Sequence, residues 1–273
     1  MDNATYQEMP CISSHWLKDM LMSPAHCYRN HIDPQRPVKE STKVMQFGTL
    51  VHCLALTPLQ FSDEFIIASD ERRTKAGRNC YTKLAATGKI IITPDEFERA
   101  QAIIAKMKAH PEARLLLSGG KKEKTFIQER GRGLLPLKAR LDIHHENQRL
   151  VGELKTIHGI NQIKTTMERY RYPLSAAFYR TLAHALTVIF IFVQTHEPYA
   201  VEVFELSLLD LQRGHEQFTT ALQRFDECWL KNEWPEAEPM TDLDDDPLMM
   251  PMPLMTATPN RQRFEIPVGE LAL

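Results

Sequence analysis

Two neighbouring stretches of the chain decide its fold: Lys138-Ala139-Arg140-Leu141-Asp142 and Val151-Gly152-Glu153-Leu154-Lys155-Thr156. Both are typical of β-strands. Because residues two apart on a strand share a face, Glu153 and Lys155 point the same way. A turn of about four to six residues between the strands would bring Asp142 beside Glu153. We therefore expect two carboxylates and a lysine to converge on one pocket.

This combination of side chains suits the hydrolysis of a phosphodiester bond. Hard carboxylate oxygens bind Mg²⁺ or Mn²⁺, and such a metal lowers the pKa of a bound water and neutralises charge in the transition state. A nearby ammonium can position the attacking water, and the backbone carbonyl of Leu154 is a candidate further ligand. The spacing D-x(10)-E-x-K is weak by itself, and the competing interpretation is an exposed ion pair between two strands.

Predicted strands and helices surround these two stretches. Thr93 and Pro94 are typical of a helix start and predict a helix over residues 94–110. The β-branched and aromatic run over residues 187–194 predicts a central buried strand. The other predicted strands cover residues 124–129, 134–143, 149–156 and 200–206, and the other main helices cover residues 12–21, 47–56, 161–169, 174–186 and 208–230. This order predicts an α/β (α+β) protein with a central mixed β-sheet flanked by helices.

Charge is unevenly distributed along the 273 residues, although the formal net charge is only −2. Residues 121–180 contain 13 Lys or Arg and 6 Asp or Glu, a net of +7, whereas residues 226–246 contain 9 acids and one lysine, a net of −8. This asymmetry indicates a polyanion-binding surface and a separate acidic segment. Solvated helix faces are the competing interpretation.

The chain is predicted to form one domain over residues 1–235. Within it we expect a helical part over residues 1–92 and a catalytic core over residues 93–235. An acidic tail rich in Pro and Met follows over residues 236–273, and this composition predicts loose order.

Composition excludes several classes of protein. The longest strongly apolar stretch, residues 185–193, has nine residues, whereas a membrane-spanning helix needs about 20. The N-terminus lacks the features of a secretory signal. The five cysteines are widely spaced and include no CxxC pair, which argues against a disulfide framework and a Cys-ligated metal site. We expect a cytoplasmic protein without a membrane partner.

Further motifs stand in order along residues 12–235. They are Ile12-Ser13-Ser14, Phe47-Gly48-Thr49-Leu50-Val51-His52, Arg72-Arg73-Thr74-Lys75-Ala76-Gly77, Gly133-Leu134-Leu135, Arg171-Tyr172-Pro173-Leu174-Ser175-Ala176-Ala177-Phe178-Tyr179 and Glu233-Trp234-Pro235. Together with the two strands, these motifs make the chain resemble the RecE family (exonuclease VIII) of the PD-(D/E)xK nuclease superfamily. The resemblance implies a restriction-endonuclease-like core.

The resemblance also implies an activity and its partners. It implies a Mg²⁺-dependent 5′–3′ exonuclease, in which Mn²⁺ can substitute, with two ions in each active site. Such an enzyme degrades linear double-stranded DNA and leaves a 3′ single strand for recombination by a RecT-like annealing protein. The family forms rings through which DNA passes, so we expect a homo-oligomer, with a tetramer favoured.

Individual residues take roles by the same resemblance. Asp142 and Glu153 match the two metal-binding acids, and Lys155 matches the catalytic lysine. Glu123 matches an acidic residue on the first strand of the core, which faces the metal. His52 matches a histidine that lies close to the metal, although without the resemblance it would be interpreted as a buried helix histidine.

Basic residues near these motifs are candidates for contacts with DNA phosphates, which give affinity that is independent of sequence and sensitive to salt. Arg140 lies beside Asp142 on the same strand. The other candidates are Lys121, Lys122, Lys124, Lys164, Arg169 and Arg171. For each of them a solvated surface charge is the competing interpretation.

The chain departs from the family pattern at two positions. Leu141 replaces the usual Pro, which carries no chemistry. Ser175 replaces the Gln of a Q-x-x-x-Y arrangement that positions DNA or water, whereas Tyr179 is retained. Ser175 therefore favours the alternative that the protein is a catalytically weakened or inactive DNA-binding or scaffold protein with the nuclease fold. A relative with an iron–sulfur cluster is set aside because only Cys228 follows the active-site motifs.

Overall fold

The computed structural model describes residues 3–36, 41–69 and 74–236. The chain divides into two units, Met1–Ala237 and Glu238–Leu273, and the described residues all belong to the first. Apart from Glu236, the predicted acidic tail lies outside the described residues. Within these ranges, no helix combines the length and the apolar character that crossing a membrane requires.

Strands of the described ranges form two sheets. A small parallel pair consists of β1 (Phe65–Ile67) and β2 (Ile90–Ile92). The main sheet consists, in spatial order, of β3 (Lys121–Gln128), β4 (Leu137–His145), β5 (Leu150–Ile157), β6 (Thr187–Gln194) and β7 (Val201–Glu205). Its neighbours are antiparallel except β5 and β6, which run parallel. The main sheet is therefore mixed, as the order of predicted elements indicated.

Helices accompany both sheets. Those in the described ranges are α1 (Asn3–Glu8), α2 (Ser14–Met20), α3 (Pro24–Cys27), α4 (Lys43–Leu56), α5 (Phe61–Glu64), α6 (Lys75–Ala85), α7 (Pro94–Ala109), α8 (Pro111–Ser118), α9 (Ile163–Arg169), α10 (Tyr172–Leu182) and α11 (Leu208–Lys231). Thr93 begins α7 as predicted: its hydroxyl oxygen accepts the Glu96 N–H at 3.1 Å, and the Glu96 carboxylate accepts the Thr93 N–H at 2.8 Å. This reciprocal pair satisfies two of the otherwise unpaired N–H groups at the helix start.

The main sheet has a helix layer on each face. On one face, Leu154 of β5 and Ile191 of β6 pack in a core with Leu50 of α4 and Ile103 of α7. Successive side chains on a strand point to opposite faces, so Glu153 and Lys155 turn away from this core toward α10. The predicted mixed sheet flanked by helices is confirmed. Glu153 and Lys155 lie on the face opposite this core, beside the buried rings of Phe190 and Phe192.

The contact between α10 and α11 is unusually close at Gly214. A Cβ built there would overlap the Pro173 carbonyl at the start of α10 and would reach within 2.9 Å of the Leu174 nitrogen. Only glycine allows the two backbones to approach in this way, so Gly214 determines how closely α11 supports α10. Because α10 carries Ser175 and Tyr179, the same contact supports the face of the sheet that holds Glu153 and Lys155.

Replacing Gly214 by Ala should therefore destabilise the protein. Overpacking a core usually costs about 1–3 kcal/mol, and the gain of about 1 kcal/mol in helix propensity offsets part of this. We expect a net loss of about 1 kcal/mol in the free energy of unfolding and a fall in Tm of about 2–4 °C by calorimetry. Gly131→Ala is the matched control, because nothing lies within 4 Å of a Cβ there. Equal Tm values for the two variants would contradict the close packing of α10 against α11.

Candidate active site

The centre of the site is a break in the pairing of β4 with its two neighbours. The β4–β5 pairs are His145–Leu150, His144–Val151 and Ile143–Gly152, and the ladder ends there, one residue before Asp142 would face Glu153. The Asp142 carboxylate instead accepts the Leu154 N–H through Oδ2 at 2.8 Å. A side chain thus takes the place of a strand carbonyl as the acceptor for β5.

The pairing of β3 with β4 is interrupted at the same level. Lys122 pairs with Ile143 and Lys124 with Leu141, so the skipped residues are Glu123 and Asp142. Glu123 has a φ of 49°, in the left-handed region that non-glycine residues rarely adopt. Such backbone strain is often found at functional sites. Here the strained residue brings its carboxylate to Asp142.

His52 completes a cluster with these two carboxylates. One ligand atom from each of His52, Glu123 and Asp142 lies within 4.8 Å of the others. The Nδ1 atom of His52 is 3.7 Å from Asp142 Oδ1, and its ring is also hydrogen-bonded to the Leu154 backbone. Burial lowers the pKa of His52, which favours the neutral imidazole that binds metals.

The position of α4 explains how His52 reaches the sheet. Gly48 lies one turn earlier on the same helix face, and a Cβ there would be 3.3 Å from Thr156 Oγ1 of β5. The absence of a side chain at Gly48 lets α4 approach β5 closely. His52 can then contact both the β5 backbone and Asp142.

Lys155 and Glu153 form an ion pair beside the cluster. Lys155 Nζ lies 2.8 Å from Glu153 Oε2 and 3.8 Å from Asp142 Oδ2. Burial disfavours the ammonium, but the Glu153 and Asp142 carboxylates outweigh this and raise the pKa of Lys155 well above its ordinary value. Lys155 therefore stays protonated near neutral pH.

Two carboxyls of this site have raised pKa values, so a bound cation would stabilise their ionised forms. Burial, followed by repulsion from Asp142, raises the pKa of Glu123 to about 7, and the same two causes raise the pKa of Glu153. Among the described residues, the buried Glu153 Oε1 has no hydrogen-bond partner. A divalent cation would favour the ionised forms, and carboxylate oxygens are the ligands that Mg²⁺ and Mn²⁺ prefer. The predicted ligands Glu123, Asp142 and His52 thus fit a divalent metal, and Glu153 and the Leu154 carbonyl remain predicted ligands.

A pocket of about 400 Å³ opens beside the ion pair. Its lining residues are His15, Lys18, Asp19, Met22, Glu153, Lys155, Arg169, Tyr170, Arg171, Tyr172, Ser175, Tyr179 and Phe190. The structure thus brings two predicted DNA-contact residues, Arg169 and Arg171, close to Lys155, together with Ser175 and Tyr179 of the Q-x-x-x-Y position. Ser175 is buried, and the Tyr179 hydroxyl lies 3.2 Å from that of Ser14 on α2.

The remaining predicted DNA-contact residues lie elsewhere. The Arg140 guanidinium packs 4.2 Å from the Tyr6 ring centroid, and its Nε lies 4.0 Å from Glu123 Oε2. Arg140 therefore adjoins the metal cluster from the side of α1 rather than lining the pocket. Lys121 pairs with Glu146, Lys122 donates to the Gly119 carbonyl, Lys124 lies 6.0 Å from the Phe126 ring, and Lys164 is exposed on α9. Their contacts with DNA stay predictions.

Sequence reasoning missed Lys18 and Tyr172. Lys18 Nζ and Lys155 Nζ lie 5.4 Å and 5.9 Å from the centroid of the Tyr172 ring, so one ring contacts two lysines. Burial, with a smaller contribution from Lys155, lowers the pKa of Lys18 to about 7. One signal was available, because Lys18 follows Ser14 by four residues and so shares its helix face. This shared face indicates a role for Lys18 only when the packing of α2 against α10 is known.

The family comparison identifies the class of protein. Residues 13–241 match the family described as a PDDEXK-like domain of unknown function (DUF3799). Since the match covers most of the chain, the chain belongs to this PDDEXK-like family. Membership of the PD-(D/E)xK superfamily, which the motifs predicted, is confirmed, but the match does not single out the RecE family. No curated protein matches the sequence.

One solved structure supports the same fold. The crystal structure of a "Putative exonuclease" from Eubacterium rectale matches with a TM-score of 0.61 at 13% identity, over 88% of this chain and 91% of that chain. At this identity the likeness concerns the fold alone. A phage-related exonuclease from Haemophilus somnus 129PT matches with a TM-score of 0.36 at 10% identity, over 84% of this chain and 100% of that chain. That score is too low to support an argument.

Metal binding at this cluster can be measured without any enzymatic activity. We expect Mn²⁺ at about 100 times its Kd to stabilise the wild-type protein by about 2.7 kcal/mol, which raises Tm by about 5–10 °C. Asp142→Asn should lose most of this increase, because it removes a charge but keeps an acceptor for the Leu154 N–H. Glu146→Gln, which changes an exposed carboxylate of the same hairpin, is the control and should behave as wild type. The same Mn²⁺ response in Asp142→Asn would exclude the cluster as the metal site.

Proposed function

We propose that the protein is a metal-dependent nuclease that hydrolyses phosphodiester bonds in DNA. One observation carries this proposal: Asp142, Glu153 and Lys155 converge beside His52 and Glu123. Of these residues, Glu153 and Lys155 line a pocket. Membership of the PDDEXK-like family supports the same chemistry. The pocket of about 400 Å³ provides space for one nucleotide next to Glu153 and Lys155.

Each group of this site has a distinct task in the proposed reaction. A divalent cation held by Asp142 and its neighbours would supply a bound water of lowered pKa and neutralise charge on the phosphate. Lys155, held by Glu153 at 2.8 Å, can orient the attacking water or a phosphate oxygen by donating hydrogen bonds. Because its pKa is raised, Lys155 acts as a fixed positive charge and not as a general base.

The pocket lining favours a polyanion without sequence preference. Arg169, Arg171 and Lys18 line the same pocket as Glu153 and Lys155, and such side chains hold phosphates whatever the base. The regional net charge of +7 over residues 121–180 agrees with this arrangement. The near-neutral net charge of the whole chain is thus compatible with a DNA substrate.

We further propose the finer activity that the sequence resemblance implies. The protein would be a Mg²⁺-dependent exonuclease that degrades linear duplexes 5′ to 3′. It would leave a 3′ single strand for a RecT-like annealing protein. It would work as a homo-oligomeric ring, with a tetramer favoured. Support comes from the RecE-like motifs of the sequence and from the fold shared with the Eubacterium rectale protein that is named an exonuclease.

The nuclease activity is tested with Lys155→Ala. With Mg²⁺ or Mn²⁺, the wild-type protein should shorten linear duplex DNA, and the variant should be slower by about 10²-fold or more, as when one group that stabilises a transition state is removed. Lys231→Ala changes an exposed lysine at the end of α11 and should leave the rate unchanged. DNA binding without cleavage by the wild-type protein, with either metal, would instead support the non-catalytic scaffold that Ser175 favours.

The exonuclease proposal makes a separate prediction about ends. Closed circular DNA should be spared, and linear duplexes carrying a label at the 5′ end should lose it long before those labelled at the 3′ end. Both substrates are followed on denaturing gels over one time course. Cutting of closed circles would make the protein an endonuclease, and early loss of the 3′ label would reverse the proposed polarity.

A further inference from the structure

A ladder of stacked aromatic rings leads from the buried sheet to the pocket. On β6, Phe190 and Phe192 stack with ring centroids 5.6 Å apart. Tyr172 stacks on Phe190 at 5.6 Å and 18°, and Tyr170 stacks on Tyr172 at 5.9 Å and 21°. Phe190 and Phe192 are buried, whereas Tyr170 is 50% exposed. The ladder therefore ends in a half-exposed ring that lines the pocket.

The backbone holds this last ring in place. Tyr170 is the C-terminal capping residue of α9, and α10 begins two residues later. The intervening Arg171 has a φ of 47°, a left-handed conformation that makes the turn sharp. Proline in the first turn of α10 restricts the chain further. The Tyr170 ring is thus attached to a constrained turn and supported from below by Tyr172.

One ring of the ladder also lies near Lys155. Tyr172, the ring beneath Tyr170, lies 5.9 Å from Lys155 Nζ and 5.4 Å from Lys18 Nζ. The Tyr170 ring therefore lies two steps of about this length from Lys155, and a planar group stacked on Tyr170 would lie one step farther. The guanidinium of exposed Arg169 lies over the Tyr170 ring, 5.6 Å from its centroid. It would move aside when a base stacks there, and it could then hold the phosphate of that nucleotide.

We propose that Tyr170 stacks on the base of an unpaired nucleotide next to the reacting phosphate, and that the enzyme consequently prefers DNA ends with an unpaired strand. An isolated exposed aromatic residue is common on protein surfaces, but this one lines the pocket of the catalytic lysine. A pocket of about 400 Å³ is at the small end of the range for ligand sites, so it suits one nucleotide better than a base pair. Stacking is tolerant of sequence because every base has a π-face. This inference rests on the proposed nuclease function.

The test measures binding in the Lys155→Ala background, which blocks cleavage. Three DNAs are compared by fluorescence anisotropy: a duplex with an unpaired terminal nucleotide, the same duplex with an abasic site there, and a blunt duplex cross-linked at its end. Tyr170→Ala should weaken binding of the first DNA by about tenfold, the loss expected when one base–aromatic stack is removed. Binding of the cross-linked duplex should change by less than about twofold, and Tyr170→Phe should retain the full affinity.

Two further readouts separate stacking from a merely structural effect. The abasic site should weaken binding to the parent protein by about the same factor. It should cause no additional loss of affinity in Tyr170→Ala, because both changes remove the same stacking interaction. A 2-aminopurine at the unpaired position should lose fluorescence on binding to the parent protein and to Tyr170→Phe, but not to Tyr170→Ala. Equal losses on all three DNAs, or none, would overturn the role of Tyr170 and leave the nuclease proposal standing. Failure of the parent protein to bind any DNA would contradict both proposals.

Discussion

The hydrogen bond from the Leu154 N–H to the Asp142 carboxylate is the interaction on which the rest of the site depends. It stands where the β4–β5 ladder has ended, and it holds the two strands together across the gap. Hydrogen bonds to charged groups contribute about 1.5–3 kcal/mol to stability, so this bond helps to keep β4 and β5 together across the gap. Because this bond uses only Oδ2, Oδ1 remains directed toward His52. One carboxylate therefore joins the sheet to the metal cluster.

The charges around this bond add little to the net stability of the fold. Burying a pair such as Glu153 and Lys155 costs desolvation that the mutual attraction often only offsets. Glu153 is 2% exposed and still has an oxygen without a partner among the described residues. Burial, and then repulsion from Asp142, raises the pKa of both Glu123 and Glu153. A site of this kind is expected to gain stability when a cation binds, since the cation supplies the positive charge that the acids require.

Sequence reasoning predicted the parts of this structure that follow from local pattern. The apolar run of β6 and the capping signal of α7 both correspond to observed elements. The alternation of β5 placed Glu153 and Lys155 on one face, and the hairpin brought Asp142 to them. Helix α8 was missed because its eight residues are too few for a clear periodic pattern. The roles of Lys18 and Tyr172 were missed because they depend on how α2 and α10 pack, which no local pattern contains.

The central claim is that Asp142, Glu123 and His52 form the metal centre beside Lys155. Anomalous diffraction from crystals soaked in Mn²⁺ tests this most directly, because it locates the ion independently of activity. The account predicts an anomalous peak within about 2–2.5 Å of the Asp142 carboxylate, with further ligands from Glu123 or His52. A strong peak elsewhere in the molecule, with none at Asp142, would contradict it.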